Sequence, residues 1–334
     1  MGQLSLFGPE PPEASNTPER PDPLAAVHAD AIAVARDLPE SIRFGTSSWS
    51  FPGWAGFVYR GPTTAAILAR DGLRDYAAHP LLRTVGLDRS FYAPVPVPDL
   101  RHYAAQLPPG FPCLAKAPAS VVSPVTPPFG PRGQAAPNPW FLSAGRLADE
   151  LLEPFAAAFR AHTGPFVLEI PPAPRGLALE PAAFLDRLEA LLAELPRDFE
   201  YAVELREQRL LTPDYARVLA RHGAGHVYNY WSAMPMPAAQ AVVVPLDGAP
   251  FVVVRLLLKP GTWYEDQRES FRPFSRIVAP DDAMRAQVVQ LSRGGLASGR
   301  RVYVLVNNKA EGSAPLTVRA IAGALADAMR SESR

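Results

Sequence analysis

The chain has 334 residues, 48% of them hydrophobic, with 33 basic side chains balanced by 33 acidic ones. That composition excludes wholesale disorder, and the charge balance removes the overall positive field of a non-specific nucleic-acid binder, though not a local basic surface. No apolar run reaches the ~18 residues a membrane span needs, so no membrane association is expected.

Residues 8–23 are rich in Pro, Glu and Ser and have little to bury, which predicts a flexible tail over residues 1–40 with a short helix near 25–38. The tail shows neither the basic and apolar regions of a secretory leader nor an acylation signal, because Leu6 stands where that pattern needs Ser or Thr. Cys113 is the single cysteine. It cannot form an internal disulfide, so a reducing cytoplasm is the expected compartment.

From residue 41 short β-rich runs alternate with helical patterns. The runs are 42–46, 83–91, 111–116, 166–170, 199–205, 226–230, 251–257 and 301–306. Helices are expected near 63–78, 97–106, 143–163, 181–195, 212–222, 281–298 and 314–329. The weakest helix signal is the link at 234–245, which contains several prolines. Strands alternating with helices imply parallel pairing and right-handed crossovers. Eight such units predict an α/β fold, a single (β/α)8 barrel of the TIM type over residues 41–334. The Pro-rich stretch at about 117–140 is too long for a plain connection and is expected to form a flap.

In such a barrel the strands' C-terminal ends and the loops after them carry the site. Each strand here ends in polar or aromatic chemistry. The first gives Ser47 and Trp49, then Trp54 and Tyr59; the second, Asp88 and Tyr92; the third, Lys116; the fourth, Glu169. The fifth gives Glu204 and Arg206, two apart and so on one face. The sixth gives Asn229 and Trp231, the seventh Arg255, and the eighth Asn307, Asn308 and, at the next helix, Ser313.

Each has a plainer reading. Trp49, Trp54 and Tyr59 either stack on a ligand or plug the barrel mouth. Glu204 and Arg206 either act on a ligand or form an internal ion pair. Asn307 and Asn308 either bind or satisfy loop backbone. Lys116, Arg206 and Arg255 suit an anion, phosphate or carboxylate, and free N–H groups near Ser313 would add to that. Asp88, Glu169 and Glu204 could instead hold a divalent cation, Mg or Mn, through oxygen. The histidines show no metal-site spacing, and no Gly-x-Ser-x-Gly or Walker loop is present.

The segments Gly45-Thr46-Ser47-Ser48-Trp49, Trp54-Ala55-Gly56 with Tyr59, Lys116-Ala117-Pro118, Ala202-Val203-Glu204-Leu205-Arg206 and Asn307-Asn308 with Gly312 and Ala314 resemble, in order, the YecE-like barrel family, domain of unknown function 72. The resemblance runs from about Ile42 to the C-terminus. It implies the barrel and brings no established reaction; an endonuclease-like activity has been considered for such barrels by structural analogy. The chain departs from the family pattern at Gly86 and Asp88, at Glu169 in place of Gln, and at Glu207 in place of His. It departs again at Arg255-Leu256-Leu257-Leu258 in place of Arg-x-His-Gly, and it lacks a Thr-His pair after the lysine loop. These losses remove the family's histidine candidates for general acid and base.

Gln3, Leu4, Ser5, Leu6 and Phe7 resemble the short peptide by which bacterial proteins dock on the DNA-polymerase sliding clamp. In that mode Leu6 and Phe7 enter an apolar pocket while the Gln3 amide hydrogen-bonds beside it; the alternative is a segment packed on its own barrel. Tail and rim together predict a DNA-associated enzyme, linked to repair or replication, acting on a phosphodiester or nucleotide. Lys116 would join Arg206 and Arg255 on phosphate, and Glu204, with Asp88 or Glu169, would serve as base or metal ligand. The alternatives are a non-catalytic adaptor for a phosphorylated ligand or protein, and a small-metabolite isomerase or hydrolase.

Overall fold

The expected β-rich runs form eight strands in the computed structural model, which describes residues 22, 24–126, 135–262 and 269–332. The strands are β1 Ile42–Thr46, β2 Leu82–Leu87, β3 Cys113–Ala115, β4 Phe166–Ile170, β5 Tyr201–Leu205, β6 Gly225–Tyr230, β7 Val252–Leu256 and β8 Val302–Val306. All pair in parallel in the order β3-β2-β1-β8-β7-β6-β5-β4. The barrel closes where β3 meets β4, through Gly164 N–H donating to Cys113 O at 2.9 Å and Ala117 N–H to Val167 O at 2.8 Å.

Side chains alternate along each strand, and the alternation divides two cores. Leu114, Val167, Ala202, Val227, Phe251, Val253, Tyr303 and Leu305 fill the barrel interior. The opposite parity, with Leu168, Val203, Tyr228, Val254 and Val304, faces the helices in a larger cluster. Gly45 allows β1 and β2 to come close: a Cβ there would stand 2.0 Å from Thr84 O.

The helices follow from local chemistry. Pro181–Glu194 starts on a proline at its first position and buries Phe184, Leu188, Leu191 and Leu192, one stripe at helical spacing. Pro213–His222 begins where the Thr212 hydroxyl accepts from Tyr215 N at 3.2 Å, and ends on Gly223 at φ 65°, the left-handed stop glycine tolerates. The helix expected at 25–38 spans Ala25–Arg36 and lies against the last helix, Ala314–Glu332. Pro237–Val243 supplies the weakly signalled link between β6 and β7.

Two expectations are revised. The run at 83–91 ends as a strand at Leu87, and a 3-10 turn covers Asp88–Phe91. The helix at 143–163 is broken into Ala144–Leu147, a π segment at Ala148–Leu152, Glu153–Ala158 and a 3-10 turn at Arg160–His162. Pro154 has no N–H to donate to residue 150, and the turn before it widens. The flap contains a short helix, Ala119–Val122, and an antiparallel pair of Val125–Thr126 with Ala136–Pro137.

Candidate functional site

The interior parity continues past the packed layer to the C-terminal ends of the strands. Above Leu114 comes Lys116; above Val167, Glu169; above Ala202, Glu204; above Val253, Arg255. Asp88 joins this layer one residue beyond the end of β2. The β4–β5 register sets Glu169 directly beside Glu204, which would repel unless a cation stood between them.

That cation is Arg206, whose Nη2 lies 2.7 Å from both Glu169 Oε2 and Glu204 Oε1. Lys116 Nζ sits 2.8 Å from Glu169 Oε2 and 3.2 Å from Asp88 Oδ2. Arg255 donates from Nη1 to Glu204 Oε2 and from Nη2 to Asp88 Oδ1 and Oδ2 at 3.0 and 3.1 Å. Three cations and three carboxylates therefore form one closed network. Five of the six are buried, and Asp88 alone is partly open, its side chain 24% exposed.

Burial by itself would raise the pKa of Glu169, but Arg206, Lys116 and Arg255 outweigh it and hold the group well below the usual carboxylate range. Burial acts to lower the Arg255 pKa, and the carboxylates of Glu204, Asp88 and Glu169 more than reverse that. Glu169 is thus ionised at neutral pH and unsuited to donate a proton. Aromatic faces back two of the cations: the Arg206 guanidinium lies 4.1 Å from the Trp231 ring centroid, and Lys116 Nζ 5.1 Å from that of Phe91.

The network changes the expectation for the rim. Lys116, Arg206 and Arg255 do converge, but each is already paired with carboxylate, so none is an uncommitted anion holder. Glu204 and Arg206 form the internal ion pair. Asp88, Glu169 and Glu204 face guanidinium or ammonium groups, an arrangement that leaves no oxygen cage for Mg or Mn. Among the described residues no group of three or more His, Cys, Asp or Glu side chains is placed to hold a metal ion.

Most of the other rim residues take partners of their own, although Asn229 stands beside Arg255 in the β6–β7 register. Trp49, Trp54 and Tyr59 are buried. The Trp49 indole N–H donates to Leu68 O at 2.7 Å, that of Trp54 to Asn308 Oδ1 at 3.2 Å, and the Tyr59 hydroxyl to Trp49 O. Their polar atoms are spent internally, as mouth-plugging aromatics require. Asn308 Oδ1 also accepts from Ala314 N at 2.8 Å and so ties the last helix to the loop after β8. Asn307 Oδ1 accepts from Lys309 N at 3.1 Å. Asn229 is buried; its amide donates to Leu205 O at 2.7 Å and its carbonyl oxygen accepts from Gln240. Ser47 and Ser313 are buried with hydroxyls that lack a hydrogen-bond partner. Tyr92 is 71% exposed, with its ring edge-on to Phe91. Residues Gln3 to Phe7 lie outside the described residues.

Several participants escaped the sequence reading. Phe91, beneath Lys116, sits in the run first read as strand. Gln240 bridges Asn229 and His226; it lies in the link whose prolines weakened the helix signal. Glu311 is fully buried, accepting from Asp281 N at 2.6 Å and from Arg285 Nη2 at 3.0 Å. Its signal in the sequence is an acid four residues beyond Asn307.

Residues 43–333 match the family model described as "Protein of unknown function DUF72". No curated protein matches. Among solved structures, a DUF72 family protein from Enterococcus faecalis V583 superposes with TM-score 0.58 at 15% identity, covering 85% of this chain and 95% of that one. A second, from Thermotoga maritima MSB8, gives 0.57 at 17% identity, covering 85% and 98%. At these identities the likeness speaks to the barrel alone.

Proposed function

Because the chain belongs to the DUF72 family, whose description names no reaction, we propose a function from the geometry of the mouth: the barrel binds a small anionic metabolite by exchange with Asp88. The observation that carries this reading is the asymmetry of the network. Glu169 and Glu204 are buried carboxylates on strands, whereas Asp88 sits on a turn, partly open to solvent. An incoming phosphate or carboxylate oxygen can take the place of the Asp88 oxygens on Arg255 Nη2 and Lys116 Nζ, and Arg is suited to such planar, bidentate capture. The displaced Asp88 carboxylate then stands beside the ligand with both oxygens free to accept a proton, the role of a general base. Glu204 and Glu169 keep Arg255 and Lys116 aimed.

The sum of charges favours a small ligand over a polymer. Three cations against three carboxylates give no net positive field to draw in a nucleic-acid backbone. An isomerase or hydrolase acting on a phosphorylated or carboxylated metabolite fits better than a phosphodiesterase on DNA. The clamp-like residues 3–7 favour a second reading, recruitment to the replication clamp, in which the metabolite is a nucleotide. Loss of clamp binding when Leu6 and Phe7 become Ala would support it, and equal binding by both proteins would end it.

The exchange is tested by calorimetric titration of the full chain with inorganic phosphate, nucleoside monophosphates and short dicarboxylates. Asp88→Asn removes the competing charge and leaves the cations one carboxylate short. Removing a unit charge about 4 Å away at an effective dielectric of ~20 changes the interaction by up to roughly 4 kcal/mol, so anion affinity should tighten by at least tenfold. No binding by either protein at millimolar anion, or equal affinity for both, would refute exchange.

A further inference from the structure

A cavity of about 350 Å3 lies on the flank of the barrel, between helix Ala25–Arg36 and the last helix. Ala26, Val27 and Ala31 line it from one helix and Pro315 and Leu316 from the other, joined by Phe57. An ion pair, Arg319 Nη2 to Asp30 Oδ1 at 2.7 Å, links the two helices at its border. The chain enters the barrel here. Asp22 is held by Arg60 Nη1 at 2.7 Å and accepts from Leu24 N at 3.0 Å, and Arg60 lies three residues beyond Phe57. Residues 1–21 therefore leave the described structure beside this cavity.

We propose that the cavity is the seat of the chain's own N-terminal peptide, with Leu4, Leu6 and Phe7 packed between the two helices. Met1, Leu4, Leu6 and Phe7 are the bulky apolar side chains of residues 1–21; all the rest there are small, polar, charged or proline. The lining is chiefly apolar, so peptide and groove match in chemistry. Reach is no obstacle. Residues 8–21 separate Phe7 from Asp22, and a spacer of that length spans up to about 45 Å when extended. Tethering also supplies a local peptide concentration of about 1 mM, so an intrinsic dissociation constant near 0.1 mM leaves roughly nine chains in ten seated. Seating covers Leu6 and Phe7, and a partner that needs them must compete with the barrel. The inference is independent of the anion site.

The test is cross-linking in the full chain, where the native Cys113 is buried and does not interfere. Ser5→Cys is paired with Ala26→Cys at the groove, and in a control with Ser298→Cys, at the end of the helix before β8. All three added cysteines replace small residues and leave the core intact. The expected result is disulfide formation at least tenfold faster for the groove pair than for the control, at a rate independent of protein concentration. Adding Leu6→Ala and Phe7→Ala should reduce it to the control rate. Equal rates for the two pairs, a rate unchanged by the Ala substitutions, or one that rises with protein concentration would each overturn the proposal, the last in favour of a second copy.

Discussion

Glu204→Gln removes one charge from the centre of the mouth network and changes almost nothing else in shape. Glu204 is fully buried; Arg255 Nη1 donates to its Oε2, and Arg206 Nη2 lies 2.7 Å from its Oε1. The neutral amide leaves two guanidiniums with three cations set against two carboxylates, in a place water does not reach. Breaking a buried ion pair from one side costs about 3–5 kcal/mol. For a barrel of this size, at about 2.1 cal/mol/K of unfolding entropy per residue, that corresponds to a fall in Tm of roughly 4–8 °C. Urea unfolding followed by tryptophan fluorescence gives the same quantity as a shift in midpoint at unchanged slope. The double variant Glu204→Gln with Arg255→Gln should recover part of the loss, because the second change removes the charge the first one stranded. A loss below ~1 kcal/mol for Glu204→Gln, or simple additivity in the double variant, would refute the view that these charges hold one another in place.

Acid should destabilise the protein before its carboxylates titrate. Burial, with Gln240 acting in the opposite sense, pushes His226 down to about 4 from 6.5. Burial and the neighbouring His28 push His79 to about 4 as well. Both are neutral in the fold while the unfolded chain takes up protons, so stability is complete above pH 6.5, falls between pH 6.5 and 4, and levels off below. Each contributes about 3 kcal/mol to that fall, and His226→Gln should flatten the slope in denaturant titrations across the window; an unchanged slope would contradict it. Glu169 adds its own loss at lower pH, since its depressed pKa means stability present above 4.5 and lost as pH falls below. Gly45→Ala would put a Cβ 2.0 Å from Thr84 O, in backbone that cannot yield; the chain should unfold or lose several kcal/mol, and a variant within 1 kcal/mol of the parent would show that the strands can separate there.

The barrel was legible in the chain because most strands are short β-branched or aromatic runs bounded by turn residues; β3, Cys113–Ala115, is the exception. Boundaries failed where one residue overrode its neighbours. Pro154 broke a helix that its surroundings support, and Asp88 to Phe91 follow directly on a β-rich run yet turn. The same alternation put Lys116, Glu169, Glu204 and Arg255 at strand ends, but their pairing was out of reach. The contact between Asp88 and Arg255 joins residues 167 apart, and it depends on strand register and barrel closure, which local pattern does not encode. So the cations looked available in the sequence and are mutually committed in the fold. Trp54 could be read either as platform or as plug until Asn308, 254 residues away, took its N–H.

Closure between β3 and β4 has a mechanical consequence. Seven of the eight seams are laced by hydrogen-bonded strand ladders, while this one is joined by isolated bridges. Lys116 and Glu169 face each other across it at 2.8 Å, so the charge network acts as a clasp on the barrel's weakest stave joint. Whatever draws Lys116 away from Glu169 strains that joint. Amide exchange at Ala117 and Gly164 would then report on what occupies the mouth, without touching any residue that binds it.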